Sequence, residues 1–247
     1  MIDTHAHLIS EFYDDIDILV EELKEKNMFK IINCADSIST SKEVLDSYKK
    51  YDDFLLPAIG IHPQNIDSKD DINKLEELIK NNKIYAIGEI GLDYHYNDEN
   101  KEEQKYFLNK QLDLAEKYNL PVLIHIRDCI QDCFDELKKR KLKGIIHCYS
   151  GSKEMAHEFI KLGYKLGIGG VLTFKNSKLF EVIESIDMKD IVLETDSPFL
   201  TPEPYRGKKN KPSNVYYVAK KIAEIKNITI EEVIEITTKN AIELFDI

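Results

Sequence analysis

The amino-acid sequence predicts an α/β protein of one domain, a (β/α)8 TIM barrel that spans residues 1–247. Short apolar segments rich in β-branched residues alternate with amphipathic stretches about eight times along the chain. This alternation is typical of barrels in which a helix follows each strand. The apolar segments are almost continuously hydrophobic, as strands buried on both faces are. No linker or low-complexity segment divides the 247 residues.

The predicted strands have the length of buried strands rather than of helices. They lie at residues 1–5, 30–35, 54–61, 84–90, 121–126, 144–149, 165–170 and 190–195. Helical periodicity is clearest near residues 101–118 and near residues 214–226. A last helix is expected to begin at Thr229, because Glu232 three residues later completes a capping box.

The main alternative fold is a doubly wound open sheet. The sequence has no glycine-rich phosphate-binding motif after an early strand, which makes this alternative less favourable. One irregular segment, residues 198–212, contains four of the seven prolines. Because this segment follows the last predicted strand, it would lie at the carboxyl end of the barrel, where catalytic residues collect.

The composition indicates an ordinary globular protein, with 43% hydrophobic and 32% charged residues. The net charge of −11 argues against a protein that coats nucleic acid through charge alone. The sequence has no signal-peptide pattern and no apolar run that approaches the ~20 residues of a membrane span. Its four cysteines form no CxxC pair, so we expect free thiols. We also expect a cytoplasmic location, no membrane contact and a monomer.

Potential metal ligands recur where the predicted strands end. Five of the seven histidines occupy such positions, together with two carboxylates. The histidines are His5, His7, His62, His125 and His147, and the carboxylates are Glu89 and Asp196. Side chains at the carboxyl ends of barrel strands converge. His5 and His7 share one face, because side chains alternate along a strand.

This set has the chemistry of a site for two divalent ions such as zinc, manganese or nickel. Glu89 is central in strand order and is the natural bridging carboxylate. His5, His7 and Asp196 would complete one site, and His125 and His147 would complete the other. Asp196 could also accept a proton from the attacking water. Two carboxylates leave two divalent ions with excess positive charge, which favours an anionic substrate.

Other candidates have a structural interpretation beside the functional one. His62 is either a turn residue or a contact for phosphate. Asp93 is expected to orient a ligand or to cap a loop rather than to bind metal, and Asp128 to cap the helix that follows it. His95 and His157 are expected to be surface or capping residues.

Cationic residues supply candidate contacts for a phosphodiester. Arg127 follows His125 by two positions and would share its inward face, which would let it contact phosphate. Residues 206–211, beginning with Arg206, carry four cations and no acid. This segment is either a solvated loop or a contact for a nucleic-acid backbone, and Tyr205 beside it could stack on a base.

Together these residues form motifs that resemble the TatD family of metal-dependent deoxyribonucleases, in the amidohydrolase superfamily. The resemblance runs essentially from end to end, and the combination of motifs is highly specific. The motifs are DTHAHL at residues 3–8, GIHP at 60–63, GEIGLDY at 88–94, PVLIHIRD at 121–128, HCYSG at 147–151, LETDSP at 193–198 and PYRG at 204–207, with Asn210 and Pro212 after them.

The resemblance implies a TIM barrel with a two-metal site and a nuclease supported by Mg or Mn. It carries His5, His7, Glu89, His125, His147 and Asp196 over as metal ligands, and His62, Arg127, Tyr205 and Arg206 over as phosphate or substrate contacts. Members of this family often act as 3′→5′ exonucleases on single-stranded DNA and are tied to DNA repair. Glu89 stands where many amidohydrolases have a carboxylated lysine, which favours the TatD branch.

Two other classes of function remain open from the sequence. The same activated water could attack a carbonyl, as in the deacylation of D-aminoacyl-tRNA that has also been attached to TatD-like proteins. A structural metal protein that does not cut is disfavoured, because structural zinc sites are closed and usually rich in cysteine. We therefore expect a metal-dependent hydrolase with two divalent ions (Mg, Mn, Zn or Ni) and DNA, single-stranded or at 3′ ends, as its substrate.

Overall fold

The computed structural model describes residues 1–96 and 99–247. Within these residues, eight parallel strands form a sheet in which each strand pairs with the next one along the chain. The strands are β1 (Ile2–Ala6), β2 (Lys30–Cys34), β3 (Leu55–Ile59), β4 (Ala86–Asp93), β5 (Val122–Arg127), β6 (Gly144–Ile146), β7 (Tyr164–Ile168) and β8 (Ile191–Leu193). The helices are α1 (Ile16–Glu25), α2 (Ile38–Tyr51), α3 (Asp71–Asn81), α4 (Lys101–Tyr118), α5 (Ile130–Leu137), α6 (Lys153–Lys161), α7 (Leu179–Ser185), α8 (Val215–Lys226) and α9 (Ile230–Phe245).

The sheet closes between β1 and the segment that follows β8. The backbone N–H of Asp196 donates to the carbonyl of His5 at 2.9 Å, and the N–H of His7 donates to the carbonyl of Ser197 at 2.8 Å. Ala6 and Ser197 also form a parallel bridge. The predicted (β/α)8 barrel is therefore confirmed, and the open doubly wound sheet is excluded.

Alternate residues of the strands belong to two apolar clusters. One cluster draws on seven strands and on the last turns of α9, and its strand residues include Ile2, Ile32, Leu56, Ala86, Leu123, Ile145 and Val192. The other contains neighbouring positions such as Ile31, Leu55 and Val122, together with the apolar faces of the helices. Because side chains alternate along a strand, the first cluster fills the barrel and the second joins the barrel to its helices.

Alternation alone directs two of the predicted ligands into the barrel. His125 lies two residues after Leu123, and His147 lies two residues after Ile145. Leu123 and Ile145 both belong to the cluster inside the barrel. The two histidines therefore continue the inward-facing rows of β5 and β6 above the apolar interior.

Two register shifts direct the other early ligands inward. The pairing of β1 shifts between residues 3 and 6, and the pairing of β4 shifts between residues 87 and 90. His5 and Glu89 lie within these irregular stretches. Since a one-residue slip exchanges the two faces of a strand, the shifts place both side chains inside the barrel rather than against the helices.

The strand boundaries differ from the predicted ones mainly at the carboxyl ends. The sequence placed Glu89 at the end of its strand. β4 instead continues to Asp93, so Glu89 lies in the middle of this strand. β6 and β8 end earlier than predicted. Cys148 and Asp196, which follow these two strands, have φ of 45° and 54°. A left-handed residue turns the chain away from the sheet and thereby ends the pairing.

The predicted helices are present with nearly the predicted bounds. The capping box at the start of α9 is also present: the N–H of Glu232 donates to the Thr229 hydroxyl at 3.2 Å, and the Glu232 carboxylate accepts from the N–H of Thr229 at 2.8 Å. Among the helices formed by the described residues, none combines the length and the apolar character that crossing a membrane requires.

Candidate metal centre

Six side chains that the sequence singled out lie together at the carboxyl end of the barrel. They come from β1, β4 and β5 and from the segments that follow β1, β6 and β8. They are His5, His7, Glu89, His125, His147 and Asp196. We call them the metal cluster. The most exposed of their side chains, that of His125, is only 18% accessible to solvent.

Glu89 stands between two pairs of imidazoles. Its Oε2 lies 3.4 Å from Nε2 of His5 and 3.4 Å from Nε2 of His7. Its Oε1 lies 2.7 Å from Nδ1 of His125 and 3.6 Å from Nε2 of His147. Each carboxylate oxygen therefore faces its own pair of nitrogen donors.

Asp196 lies beside the first of these pairs. Its Oδ1 is 3.5 Å from Nε2 of His7, 4.0 Å from Nε2 of His5 and 3.8 Å from Nε2 of His147. The Asp196 side chain is 14% exposed, against 6% for Glu89. Asp196 is therefore the carboxylate of the cluster that is more open to a ligand.

Asp93 lies behind His125, on the side away from Glu89. Asp93 Oδ2 is 3.3 Å from Nε2 of His125, while Asp93 Oδ1 accepts a hydrogen bond from the N–H of His95 at 2.9 Å. A carboxylate in this position fixes the orientation of a histidine ring. The His62 ring packs edge-on against the His125 ring, with centroids 4.5 Å apart.

Glu194 lies behind His147 and was not singled out from the sequence. It is fully buried, and its Oε1 lies 2.9 Å from Nδ1 of His147 and accepts from the N–H of Cys148 at 2.7 Å. A Cβ atom on Gly167 would lie 2.1 Å from Oε2 of Glu194, so the glycine leaves the space that this carboxylate occupies. The sequence did contain a signal, because Glu194 lies two residues before Asp196 and shares its inward direction.

The two histidines of β1 are held through the backbone. His7 Nδ1 lies 2.9 Å from the carbonyl oxygen of Cys34, which leaves Nε2 directed at Glu89. The buried Asp3 carboxylate accepts from the N–H of His5 at 3.1 Å and from the N–H of Thr195 at 3.0 Å. Asp3 therefore ties β1 to the segment that carries Asp196.

The two carboxylates of the cluster are held in the charged form. Burial alone would raise the pKa of Glu89, but the surrounding imidazoles hold the pKa well below its usual range. Burial also acts to raise the pKa of Asp196. The hydrogen bond from His7 and the charges of the nearby histidines outweigh burial, so the pKa of Asp196 is lowered. Both groups are thus anions at neutral pH and suited to a cation.

Carboxylate neighbours raise the pKa values of three of the imidazoles when no cation is present. Burial lowers the pKa of His147, but the carboxylates of Glu194 and Glu89 outweigh it and raise the pKa to about 9. Burial likewise opposes protonation of His7 and His125, and their carboxylate neighbours raise both pKa values, that of His7 well above its usual range.

The donor atoms fit a divalent metal. His5 Nε2 and His7 Nε2 lie only 3.2 Å apart. One ion with bonds of about 2.1 Å, at tetrahedral or octahedral angles, places two donors about 3.0–3.4 Å apart. Nitrogen and oxygen donors without cysteine suit manganese, zinc or nickel, and the carboxylates suit magnesium.

Comparison with known proteins agrees with this chemistry. The sequence model of the family described as TatD related DNase matches residues 2–246. This chain belongs to the TatD family. The uncharacterized metal-dependent hydrolase YabD of Bacillus subtilis is 42% identical to this TatD protein over 254 aligned positions, which cover 100% of this chain and 99% of YabD. Deoxyribonuclease TATDN3 of Homo sapiens is 33% identical over 261 positions, which cover 99% of this chain and 94% of TATDN3.

A solved structure of the family has the same fold. YJJV, a TatD homologue from Escherichia coli K12, superimposes with a TM-score of 0.92 at 29% sequence identity. The superposition covers 100% of this chain and 98% of YJJV. The TatD protein is therefore a metal-dependent hydrolase whose described residues form the barrel of its family.

We expect metal uptake by the TatD protein to release protons. Without metal, His147 is protonated at pH 7 because its pKa is about 9, and the raised pKa values of His7 and His125 favour their protonated forms, so a cation has to displace protons. The affinity for Zn²⁺ or Mn²⁺ should therefore rise with pH from 6 toward 9, the pKa of His147, and change less above it. Calorimetry at pH 7 in two buffers of different ionisation enthalpy measures the protons released. A heat that is independent of the buffer would contradict this prediction.

Replacing Glu194 with glutamine should weaken metal binding without unfolding the protein. Glutamine keeps an oxygen that can accept from the N–H of Cys148, but it removes the negative charge beside His147 Nδ1. Loss of such an outer partner typically costs about 10–100-fold in metal affinity. Titration with a competing chelator measures this loss. Glu102→Gln, whose side chain is 93% exposed, is the matched control and should bind metal normally.

The four predicted substrate contacts occupy different places. His62 lies beside the metal cluster, with Nε2 at 3.8 Å from Glu89 Oε1. Arg127 is exposed at the end of β5, where its guanidinium lies over the ring of Tyr96 at 4.9 Å. It lies two residues after His125 on the same strand, and its charge contributes to the lowered pKa of Asp93 beside that histidine.

Tyr205 and Arg206 lie in the long loop after β8 and outside the metal cluster. The Tyr205 hydroxyl is 3.1 Å from that of Tyr217. The guanidinium of Arg206 lies 3.8 Å from the ring centroid of Phe174. The loop conformation thus turns these two side chains toward neighbouring loops and helices.

The sequence predicted that Asp128 caps the helix that follows it, and this prediction is wrong. α5 begins at Ile130, its cap position is Cys129, and the Cys129 side chain makes no capping hydrogen bond. The Asp128 carboxylate lies 2.7 Å from Nδ1 of His95. The left-handed φ of 57° at Asp128 explains this, because it turns the side chain away from the helix.

An open cavity of about 540 Å³ adjoins the cluster at His147. The loop after β5, the first turn of α5 and the loop after β6 form its wall, which includes Asp128, Gln131 and Ser150. Of the six residues of the metal cluster, His147 is the one that lines this cavity.

Proposed function

We propose that this TatD protein is a deoxyribonuclease that removes nucleotides from the 3′ ends of single-stranded DNA with two divalent ions in the metal cluster. The position of Glu89 supports this most strongly, because each of its oxygens faces a separate pair of imidazoles. His5, His7 and Asp196 would hold one ion and His125 and His147 the other, with Glu89 shared. When bound, such a pair polarises a water and offsets the negative charge that develops on the phosphoryl oxygens.

Asp196 is the residue that takes the proton of the attacking water. It is the more exposed carboxylate of the cluster, and its lowered pKa keeps it ionised at neutral pH. Oδ1 faces the histidines, so Oδ2 is the oxygen available to the proton. A positioned base of this kind contributes about 10²–10⁴-fold to a rate.

His62 is a neutral donor rather than a cation. Burial lowers its pKa to about 4, so it is uncharged at pH 7. Its Nδ1 accepts from the N–H of Gln64 at 3.1 Å, which leaves the ring proton on Nε2, the nitrogen that faces Glu89. This N–H can donate to a phosphate oxygen placed beside Glu89.

Charge favours a phosphodiester as the substrate. The cluster supplies two carboxylates, so two divalent ions would leave an excess of two positive charges for an anionic group. The family description and the name of the human relative both refer to DNA. The exposed Arg127 at the rim, with Arg206 and the lysines after it, adds cations that a nucleic-acid backbone can contact.

Digestion of end-labelled DNA tests the proposed function. Protein stripped with a chelator receives Mg²⁺, Mn²⁺, Zn²⁺ or Ni²⁺ separately, with a single-stranded 30-mer that carries a 5′ label. We expect a ladder of progressively shorter labelled strands that appears only with metal and is absent from the Asp196→Asn variant.

The same assay separates the proposal from its rivals. Immediate release of labelled mononucleotide from the 5′ end would contradict the proposed direction. Intact DNA in the presence of tightly bound metal would contradict the nuclease proposal itself. Release of the amino acid from D-aminoacyl-tRNA under those conditions, with the tRNA intact, would instead establish attack on a carbonyl.

A further inference from the structure

A groove of about 480 Å³ lies on the side of the barrel, between α1 and the segment at residues 205–217 that leads from β8 into α8. We call it the flank groove. Four lysines line it, namely Lys26, Lys208, Lys209 and Lys211. They lie outside the metal cluster, and three of them are the lysines after Arg206 to which only a general contact with a nucleic-acid backbone was assigned above.

The wall of the flank groove is positively charged in an acidic protein. Among the described residues, Glu22 is its one carboxylate, and it lies 2.8 Å from Nζ of Lys26 and 2.5 Å from Nζ of Lys211. Four lysines against one glutamate leave an excess of three positive charges, in a chain of net charge −11. A local basic surface of this kind attracts a polyanion.

Three tyrosines stand among the lysines. Tyr205 and Tyr217 pack edge-on with centroids 5.2 Å apart, and Tyr216 packs against Tyr217 at 5.6 Å. Tyr216 is 41% exposed, although it is a large aromatic side chain. Aromatic faces beside cations are the elements with which proteins hold unpaired bases and their backbone together. A phosphate ion alone would not use the ring faces.

Aromatic side chains connect the flank groove to the metal cluster. The rings of Phe12 and Phe199 each pack edge-on against His7, at 6.4 and 6.3 Å, and against each other at 5.3 Å. Lys209 donates to the carbonyl of Phe12 at 2.5 Å, and its Nζ lies 5.4 Å from the ring centroid of Tyr13. The groove therefore begins where the aromatic pair beside His7 ends.

We propose that the flank groove binds single-stranded DNA at nucleotides several positions away from the bond that is cut. The strand passes from the metal cluster over Phe12 and Phe199, and its bases then stack on the tyrosines while the lysines contact its phosphates. This inference rests on the proposed nuclease function, since it assigns the path of that substrate. It explains why an acidic protein has tyrosines and lysines together in the flank groove.

Binding and cleavage of long and short strands test the flank groove. The variant combines Lys26→Ala with Tyr216→Ala, both at exposed positions. Anisotropy of a fluorescent 20-mer of thymidylate, measured in EDTA, should show binding weakened about tenfold or more, because one stacked base and one phosphate contact are lost. The slope of log affinity against log salt should fall by about 0.7 for the missing lysine. With metal present, KM for the 20-mer should rise, while cleavage of a dinucleotide should stay unchanged.

Matched variants separate this role from general surface effects. Tyr106 is 39% exposed on α4 and has Lys69 and Lys110 near its ring, but it lies away from the groove. Lys239 pairs with Glu243, and Lys26 pairs with Glu22; in each pair the two residues are four positions apart. The double variant Tyr106→Ala with Lys239→Ala should bind the 20-mer normally. Tyr216→Phe keeps the ring face and should also retain binding.

Two results would overturn the inference. One is an affinity and a salt slope for the 20-mer that the groove variant leaves unchanged. The other is the same loss of binding in the control double variant. Binding in EDTA does not depend on turnover, so it reports on the groove even if metal-loaded protein cuts neither the long nor the short strand. Metal-loaded protein that cuts neither strand would contradict the nuclease proposal.

Discussion

Glu89→Gln is expected to lower the rate of DNA hydrolysis by about 10³-fold or more, because Lewis-acid stabilisation at such a centre is worth several kcal/mol and each 1.36 kcal/mol is tenfold. Glutamine replaces one of the two carboxylate oxygens with an NH₂ group, which cannot bind a cation. Either the His5 and His7 side or the His125 and His147 side then loses its shared anion. Metal analysis should show fewer ions per chain than in the wild type.

The control for this variant is Glu102→Gln, which removes a carboxylate that is 93% exposed on α4. It should keep the wild-type rate and metal content. Far-ultraviolet circular dichroism should be the same for all three proteins, because glutamine fills the volume of glutamate. A Glu89→Gln variant that keeps two ions and the wild-type rate would contradict the bridging role of Glu89.

Asp196→Asn is expected to lower kcat by about 10²–10⁴-fold, the contribution of a positioned general base. Asparagine keeps an oxygen that can face the histidines of β1, but it cannot accept the proton of the water. Metal content should therefore fall less than in Glu89→Gln.

Excess metal distinguishes these two variants. Adding Mn²⁺ to millimolar concentration should restore part of the activity of Glu89→Gln, because its defect is weak binding. It should not restore Asp196→Asn, whose defect is proton transfer. Full recovery of Asp196→Asn with excess metal would show that Asp196 serves only as a ligand, and would remove its role as the base.

Some ligands could be predicted from the sequence because they follow simple strand periodicity. His125 and His147 lie two residues after apolar side chains that face the barrel interior. An inward position at the carboxyl end of a strand therefore predicts a site residue, and the structure brings both beside Glu89. The buried apolar strands likewise predicted the parallel sheet correctly.

Glu89 and His5 show the limit of that argument. Simple alternation from Ala86 or Ile2 would direct these side chains toward the helices, and only the register shifts in β4 and β1 bring them inward. A register shift depends on the pairing partner, so the periodicity of one strand does not reveal it. The metal-ligand chemistry of the residues and their recurrence near strand ends indicated them instead.

The loop after β8 could not be placed from sequence, because distant contacts set its conformation. Asn210 in this loop donates to the carbonyls of Thr195 and Phe199, and the Tyr13 hydroxyl donates to the carbonyl of Asn210. These bonds turn Tyr205 toward α8 rather than over the metal cluster. Neither its basic composition nor its prolines predicted that placement.

Anomalous diffraction from crystals grown with Mn²⁺ or Zn²⁺ tests the central claim most directly. We expect two peaks about 3.5–4 Å apart on the two sides of the Glu89 carboxylate, the separation of a two-metal hydrolytic site. One should be ligated by His5, His7 and Asp196, and the other by His125 and His147. A single peak, or an ion held instead by His62, Asp93 and His125, would contradict the shared role of Glu89 and the mechanism built on it.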